Sequence, residues 1–457
     1  MRKVLIANRG EIAVRVIRAC HDLGLETVAV YSQPDAESLH VLHAGEAVCI
    51  GEAPAQKSYL RIPNILSACE ISGADAIHPG YGFLSENANF ASICESCGVT
   101  FIGPSSKTIR LLGDKVEAKK TAVRAGCPVI PGSDGVVASV EEGLLVAKNL
   151  GFPILIKAVA GGGGKGIRVV NSEADFERCF LAARAEAGVS FSNPDVYIEK
   201  MILKPRHVEV QIMGDKWGSY IHLGERDCTV QRRRQKLIEE SPSPALSEEQ
   251  RQTICQAAVR IAREAGYESV GTVEFLLDQN KNFYFMEVNT RVQVEHTVTE
   301  ELTGVDIVAQ QIRIACGERL HLRQEDVPFN GHAIQLRINA EDPSKDFMPS
   351  PGRLEYYVAP GGPHVRIDSA CYAGYTIPPH YDSMIAKLII SGSNRAEAIA
   401  RAQRALLEFH IGGVKTTIPF HRDILRRKAF IDADFDLTFV DQILSSGYVF
   451  DQEKHEG

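Results

Sequence analysis

The chain has 457 residues, a length that fits about three domains. Hydrophobic residues make up 44% and charged residues 24%, enough for a full core, and the formal net charge of −8 argues against a general polyanion binder. No apolar run approaches the roughly 18 residues that span a bilayer, residues 4–7 are too short for a signal peptide, and the 11 scattered cysteines form no disulfide framework, so a cytoplasmic, reducing setting without membrane or nucleic-acid partners is expected.

Residues 3–7 form an apolar run, Asn8-Arg9-Gly10 a turn, and 11–23 a segment of helical period stopped by Gly24. Strands are predicted at 27–31, 75–78 and 100–102, with helices at 59–71 and 86–97 between them. That alternation implies α/β architecture, a parallel sheet with helices on its faces. A second unit runs from about 128 to 200 around a Gly-rich turn. A third begins near Pro205 with long alternating strands and includes a helix at 395–409. Residues 451–457 are polar and expected to fray.

The Gly-rich segment Ala160-Gly161-Gly162-Gly163-Gly164-Lys165-Gly166 contains G-x-G-x-x-G. A dinucleotide fingerprint needs a strand before it and a helix after, whereas the flanks at 154–158 and 167–170 are both β-like. It is no Walker A either, because Lys165 precedes the last Gly and no Ser or Thr follows. A glycine tip on a β-hairpin can instead fold over phosphates, its backbone N–H groups unobstructed. The plain alternative is a surface hairpin, against which Lys157 and Lys165 count.

Residues 287–295 read as a strand placing Glu287, Asn289, Arg291, Gln293 and Glu295 on one face. Residues 272–277 and 283–288 form a predicted hairpin that brings Glu274 near Glu287. Facing carboxylates destabilise a sheet, and a hard divalent cation would relieve them, with the Asn289 amide oxygen as a further ligand. The run Gln231-Arg232-Arg233-Arg234-Gln235-Lys236 is better read as a local anion cluster than as a nucleic-acid patch in so acidic a chain. Cys94 and Cys97, the one C-x-x-C, lie on a predicted helix without metal-spaced partners and read as packing. His78-Pro79-Gly80-Tyr81-Gly82 is a strand end entering a tight loop, where open α/β sheets form ligand crevices.

Taken with Ile6 to Ala13, His78 to Asn87, Gly113-Asp114-Lys115, Arg337 to Glu341 and Asp382 to Lys387, these motifs resemble the biotin carboxylase component of acyl-CoA carboxylases, an ATP-grasp family. The similarity covers about residues 1–445. It implies a Rossmann-like N-terminal domain at 1–112, an ATP-grasp region at 113–330 with a mobile lid at about 128–200, and a C-terminal biotin carboxylase domain at 331–446. Nucleotide contacts are implied for Lys115, Lys157, Gly163, Gly164, Glu199, Lys200, Met201, Ile202, His207, Gln231 and Arg234, together with Glu274 and Glu287. The last two and Asn289 match the family's ligands for Mg²⁺ or Mn²⁺, two ions being expected.

Lys236, Arg291, Gln293 and Val294 match positions that hold bicarbonate, Glu295 the general base, Arg337 the group at the biotin ureido, and Tyr81 and Gly82 the biotin pocket. The implied reaction is ATP-dependent formation of carboxyphosphate, followed by carboxylation of biotin. None of the six methionines begins a Met-Lys-Met triplet, and the chain ends soon after the similarity. A separate biotin carboxyl carrier protein, carboxyltransferase subunits and a homodimer are therefore expected, acetyl-CoA being the expected final acceptor. One departure stands out: the family pattern has His where this chain has Arg234. The alternatives are another ATP-grasp carboxylate–amine ligase, which needs no compact bicarbonate cradle, and a non-catalytic nucleotide-binding regulatory subunit.

Overall fold

The computed structural model describes residues 1–160 and 166–447. Gly163, Gly164 and the tail at 451–457 lie outside the described residues.

The N-terminal sheet consists of β1 (Lys3–Ile6), β2 (Glu26–Ser32), β3 (Glu46–Gly51), β4 (Ala76–His78) and β5 (Thr100–Phe101). Their order is β3-β2-β1-β4-β5 and all pairs are parallel, as the strand–helix alternation predicts. The sheet fills outward in both directions from β1 and β4, so the crevice of an open α/β sheet falls at their carboxyl ends. There Asn8 donates to the carbonyls of Pro79 and Tyr81, both at 2.7 Å, pinning the 79–82 loop. The helix predicted at 86–97 is Ala88–Ser96, capped by the Asn87 side chain on the Phe90 amide. That predicted at 59–71 is Ile62–Ser72, with Pro63 in its first turn. Strand β3 escapes the sequence reading because it is an edge strand in which only Ile50 is buried.

A second sheet comprises β6 (Ile154–Ala158), β7 (Ile167–Val170) and β8 (Val196–Lys200), in the order β7-β6-β8 and antiparallel throughout. β6 and β7 are the hairpin predicted around the glycines, with Lys157 opposite Ile167. Its apolar face packs on helices Val140–Leu150 and Glu173–Phe191.

The largest sheet has eight antiparallel strands. Six are β9 (Arg206–Gly214), β10 (Tyr220–Arg232), β11 (Gln235–Ser241), β12 (Ser269–Leu277), β13 (Phe283–Asn289) and β14 (His332–Asn339); the others are Val365–Ser369 and Met384–Gly392. β9 lies inside the sheet and all nine of its residues are buried. Val208, Val210 and Ile212 pack on the helix Glu248–Glu264. Alternation sends His207, Glu209 and Gln211 to the other face, where polar side chains collect. At the far end, β14 and Met384–Gly392 share an apolar core with the helix Arg395–Glu408.

The strand predicted across 287–295 is shorter than expected. β13 stops at Asn289, residues 290–295 form a connecting loop, and Glu295 is the N-cap of the helix His296–Thr303. The alternating pattern misled here because Val292 is fully buried although the segment pairs with no strand.

Candidate active site

A cavity of about 1210 Å³ opens between the β6–β8 sheet and the polar face of the large sheet. Its wall brings together Lys115, Lys157, Glu199, Lys200, Met201, Ile202, His207, Gln231, Arg234, Lys236, Glu274, Glu287, Asn289, Arg291, Gln293, Val294, Glu295 and Arg337. Tyr81 and Gly82 lie outside that wall, in the loop after β4, where the Tyr81 hydroxyl bonds Glu11.

At one end, Asp114 caps the helix Lys115–Arg124 through the amides of Val116 and Glu117, which sets Lys115 at the helix start. Burial and the neighbouring Lys157 push the Lys115 ammonium below its ordinary value, with Glu287 partly offsetting them. Lys157 on β6 donates to Glu199 of β8 at 2.5 Å, and Lys119 reaches the other Glu199 oxygen at 3.2 Å. Lys200 donates to the Gly151 carbonyl at 2.8 Å.

Farther in, the predicted hairpin forms and a register shift between Glu274 and Phe275 makes Glu274 and Glu287 direct partners across β12 and β13, while Glu209 faces Glu274 from β9. The two facing carboxyls are treated differently by their surroundings. Glu274 receives His207 at 2.9 Å, Lys236 at 3.3 Å, Asn289 at 2.8 Å and Gln293 at 2.9 Å. Burial alone would raise its pKa, but Lys236 and His207 hold it well below the carboxylate range. Glu287 is raised instead, by burial and by the Glu274 charge. Two facing carboxylates with one under-compensated suit a hard divalent cation, and Asn289, whose NH₂ group here donates to Glu274 and whose oxygen accepts from Arg291, would join them by turning its amide over.

The centre is built around Lys236, whose ammonium lies 2.7 Å from Glu209 and 2.5 Å from Glu295. Glu295, only 2% exposed, also accepts from Arg337 at 3.0 Å. Although it is an N-cap residue, its side chain makes no capping bond and points to these two cations. Burial would raise the Glu295 carboxyl; Lys236, Arg337 and Arg226 overcome that and hold it far below its ordinary value. Glu239 steadies Arg337 at 2.6 Å, and Thr417 and His421 grip the Arg337 carbonyl at 2.9 and 2.8 Å. Arg291 is braced by Glu86 at 2.8 Å and by the Asn289 oxygen at 2.9 Å.

The basic run does not act as one cluster. Arg233 and Arg234, with φ of 47° and 67°, form the two-residue turn between β10 and β11. Positive φ at both positions is the requirement of a type I′ turn. The reversal sends Arg232 and Arg233 onto Asp346, while Gln231, Arg234 and Lys236 face the cavity. The sequence reading missed Glu86, Glu209, Arg226 and Glu239. A usable signal was present for Glu209, since His207, Glu209 and Gln211 alternate with valine and isoleucine along a strand.

Three family models cover the chain. Residues 1–109 match the biotin carboxylase N-terminal domain, 114–323 the ATP-binding domain of the carbamoyl-phosphate synthase L chain, and 335–442 the biotin carboxylase C-terminal domain. The chain is 56% identical over 441 residues to the biotin carboxylase of Nostoc sp., covering 96% of this chain and 99% of that one. It is also similar to the β,γ-ATP complex of biotin carboxylase from Campylobacter jejuni, at 48% identity and a TM-score of 0.93, over 96% and 98% of the two chains. A further similarity is to the biotin carboxylase domain dimer of 2-oxoglutarate carboxylase from Hydrogenobacter thermophilus. That structure is a complex with MgADP, ADP and bicarbonate, matched at 50% identity and a TM-score of 0.94 over 99% of both chains.

Proposed function

The chain belongs to the biotin carboxylase family and is an ATP-dependent ligase that carboxylates biotin; on that premise we propose that Lys236 and Arg291 hold bicarbonate, that Glu295 deprotonates it, and that Arg337 meets the biotin ureido group. The observation that carries these assignments is the Glu295 bridge, one buried carboxylate between Lys236 at 2.5 Å and Arg337 at 3.0 Å. Arg291 acts on the same carboxylate electrostatically and lines the same cavity. Several cations around one buried base make a place for a compact anion.

Bicarbonate is a poor electrophile and a poor nucleophile, so ATP must activate it. As the anion enters, it draws Lys236 and Arg291 toward itself, and Glu295 regains basicity. Glu295 takes the proton, the freed oxygen attacks the γ-phosphorus, ADP leaves and carboxyphosphate forms. Lys115 and Lys157 neutralise charge on the phosphoryl oxygens. A divalent cation held by Glu274, Glu287 and Asn289 would supply further charge neutralisation there. Carboxyphosphate divides into CO₂ and phosphate, the phosphate takes the ureido proton, and the ureido nitrogen attacks CO₂. Arg337 stabilises negative charge on the ureido oxygen meanwhile.

The Hydrogenobacter domain is a dimer, and a homodimer is proposed here too. A separate carrier is proposed to bring the biotin, because residues 1–457 hold no Met-Lys-Met triplet for its attachment. The purified chain should give a negative avidin blot and no mass increase for biotin; a positive blot overturns the carrier assignment. A bicarbonate-dependent ATPase stimulated by free biotin tests the function. ATP hydrolysis that responds to larger carboxylates and ignores bicarbonate would favour the carboxylate–amine ligase.

Arg234 lines the cavity at the turn where the family pattern has His. Histidine is among the residues that tolerate positive φ, so Arg234→His should leave the turn intact. A neutral hydrogen bond is worth about 0.5–1.5 kcal/mol, so the ATP KM should move by less than about tenfold. The bicarbonate KM should hardly change. A strong bicarbonate effect with ATP untouched would assign this position to the other ligand.

A further inference from the structure

Arg226, in the middle of β10, is fully buried, and a buried cation persists only where its charge and its donors are answered. Here all five N–H groups are used. Nε donates to Glu209 at 2.6 Å, Nη1 to Gln211 at 2.7 Å and to Thr299 at 3.1 Å, and Nη2 to Thr272 at 3.1 Å and to Gln293 at 3.0 Å. The guanidinium is planar and its donors are fixed in direction, so it sets the geometry of its partners rather than following them.

Three of those contacts lead to the bicarbonate cradle by separate routes. Glu209 gives one oxygen to Arg226 and the other to Lys236 at 2.7 Å. Gln293 accepts from Arg226 through its oxygen, which leaves its NH₂ group to donate to Glu274 at 2.9 Å. With the amide reversed, an oxygen would oppose the Glu274 carboxylate. Thr299 lies on the helix His296–Thr303, whose N-cap is Glu295. One buried side chain therefore fixes the place of the anion-holding lysine, the amide orientation of Gln293 and the helix that presents the base.

We propose that Arg226 is a positioning residue for bicarbonate: it touches no substrate, and it aligns Lys236, Gln293 and Glu295 in the orientation that binds and deprotonates the anion. The proposal rests on the bicarbonate reading above. Lysine has three donors on a flexible stem and cannot reproduce five fixed directions. Because it loses hydrogen bonds donated by a charged group, Arg226→Lys should lower kcat/KM for bicarbonate by about 10–100-fold, with the ATP KM within about threefold of wild type. Thr299→Val removes a single bond and should give the same signature at about two- to fivefold.

Steady-state kinetics of both variants with each substrate varied, alongside thermal unfolding, decides the matter. A purely structural brace would lower Tm while leaving kcat/KM for bicarbonate unmoved, or would shift the bicarbonate and ATP parameters together; either result overturns the proposal. If Arg226→Lys does not fold, Thr299→Val decides by the same readout. Absence of bicarbonate-dependent ATPase in the wild-type chain would instead remove the underlying reading. A wild-type chain that responds to bicarbonate, with variants whose kcat/KM for bicarbonate is unchanged, removes this proposal alone.

Discussion

Glu295→Gln is expected to lower biotin carboxylation by about 10²–10⁴-fold, the usual contribution of a general base, while unfolding close to the wild-type temperature. For a carboxylate on a solvated strand face, the small stability effect would follow from exposure alone. The structure buries it between Lys236 and Arg337, so the same expectation now needs another reason. Carboxylates crowd this region: Glu209 and Glu274 also hold Lys236, and Glu239 also holds Arg337. Removing one negative charge leaves each cation with a partner, so the usual penalty for an orphaned buried charge does not arise. Near-normal turnover in purified Glu295→Gln would move the base elsewhere. Collapse of the fold would make Glu295 a structural residue first.

Lys236→Met should combine loss of activity with loss of stability. Removing a preorganised cation from a transition state that gathers negative charge costs about 10²–10³-fold in rate. It also leaves Glu209, Glu274 and Glu295 around an apolar side chain, and breaking a buried ion pair from one side costs about 3–5 kcal/mol. The pH dependence has a definite sign. In the wild type the Glu274 and Glu295 carboxyls are depressed, so their stabilisation is present above the unfolded carboxylate pKa and is lost as pH falls through their folded values. Without Lys236 those carboxyls rise, and protonation then favours the folded state. The Tm deficit of Lys236→Met should therefore be larger near pH 8 than near pH 5, a comparison that circular dichroism melts provide. A deficit independent of pH would show that these carboxylates do not depend on Lys236.

Local sequence sufficed where function is local. The nearness of Glu274 to Glu287 follows from one hairpin and a short turn, but their direct opposition comes from a register shift between Glu274 and Phe275 that the sequence pattern does not encode. The parallel N-terminal sheet was legible from strand–helix alternation, and the β6–β7 hairpin from its β-like flanks. The loop from 290 to 295 was misread as strand because an alternating apolar pattern reports burial on alternate sides, whatever buries it. The supports of the site were illegible for a different reason. Glu239 reaches Arg337 across 98 positions and Glu86 reaches Arg291 across 205, and no period in the sequence encodes pairings so distant. Arg226 likewise reads as one more charge in Glu225-Arg226-Asp227 until the sheet closes around it.

The central claim is that bicarbonate itself attacks ATP, so that one of its oxygens is carried into the phosphate. Wild-type enzyme turning over with ¹⁸O-labelled bicarbonate, ATP and free biotin tests this directly, with the phosphate read by ³¹P NMR or mass spectrometry. Formation of carboxyphosphate predicts one labelled oxygen in each phosphate released. Phosphate that carries no label above the unlabelled control would contradict it, because ATP would then be cleaved by water or by another nucleophile.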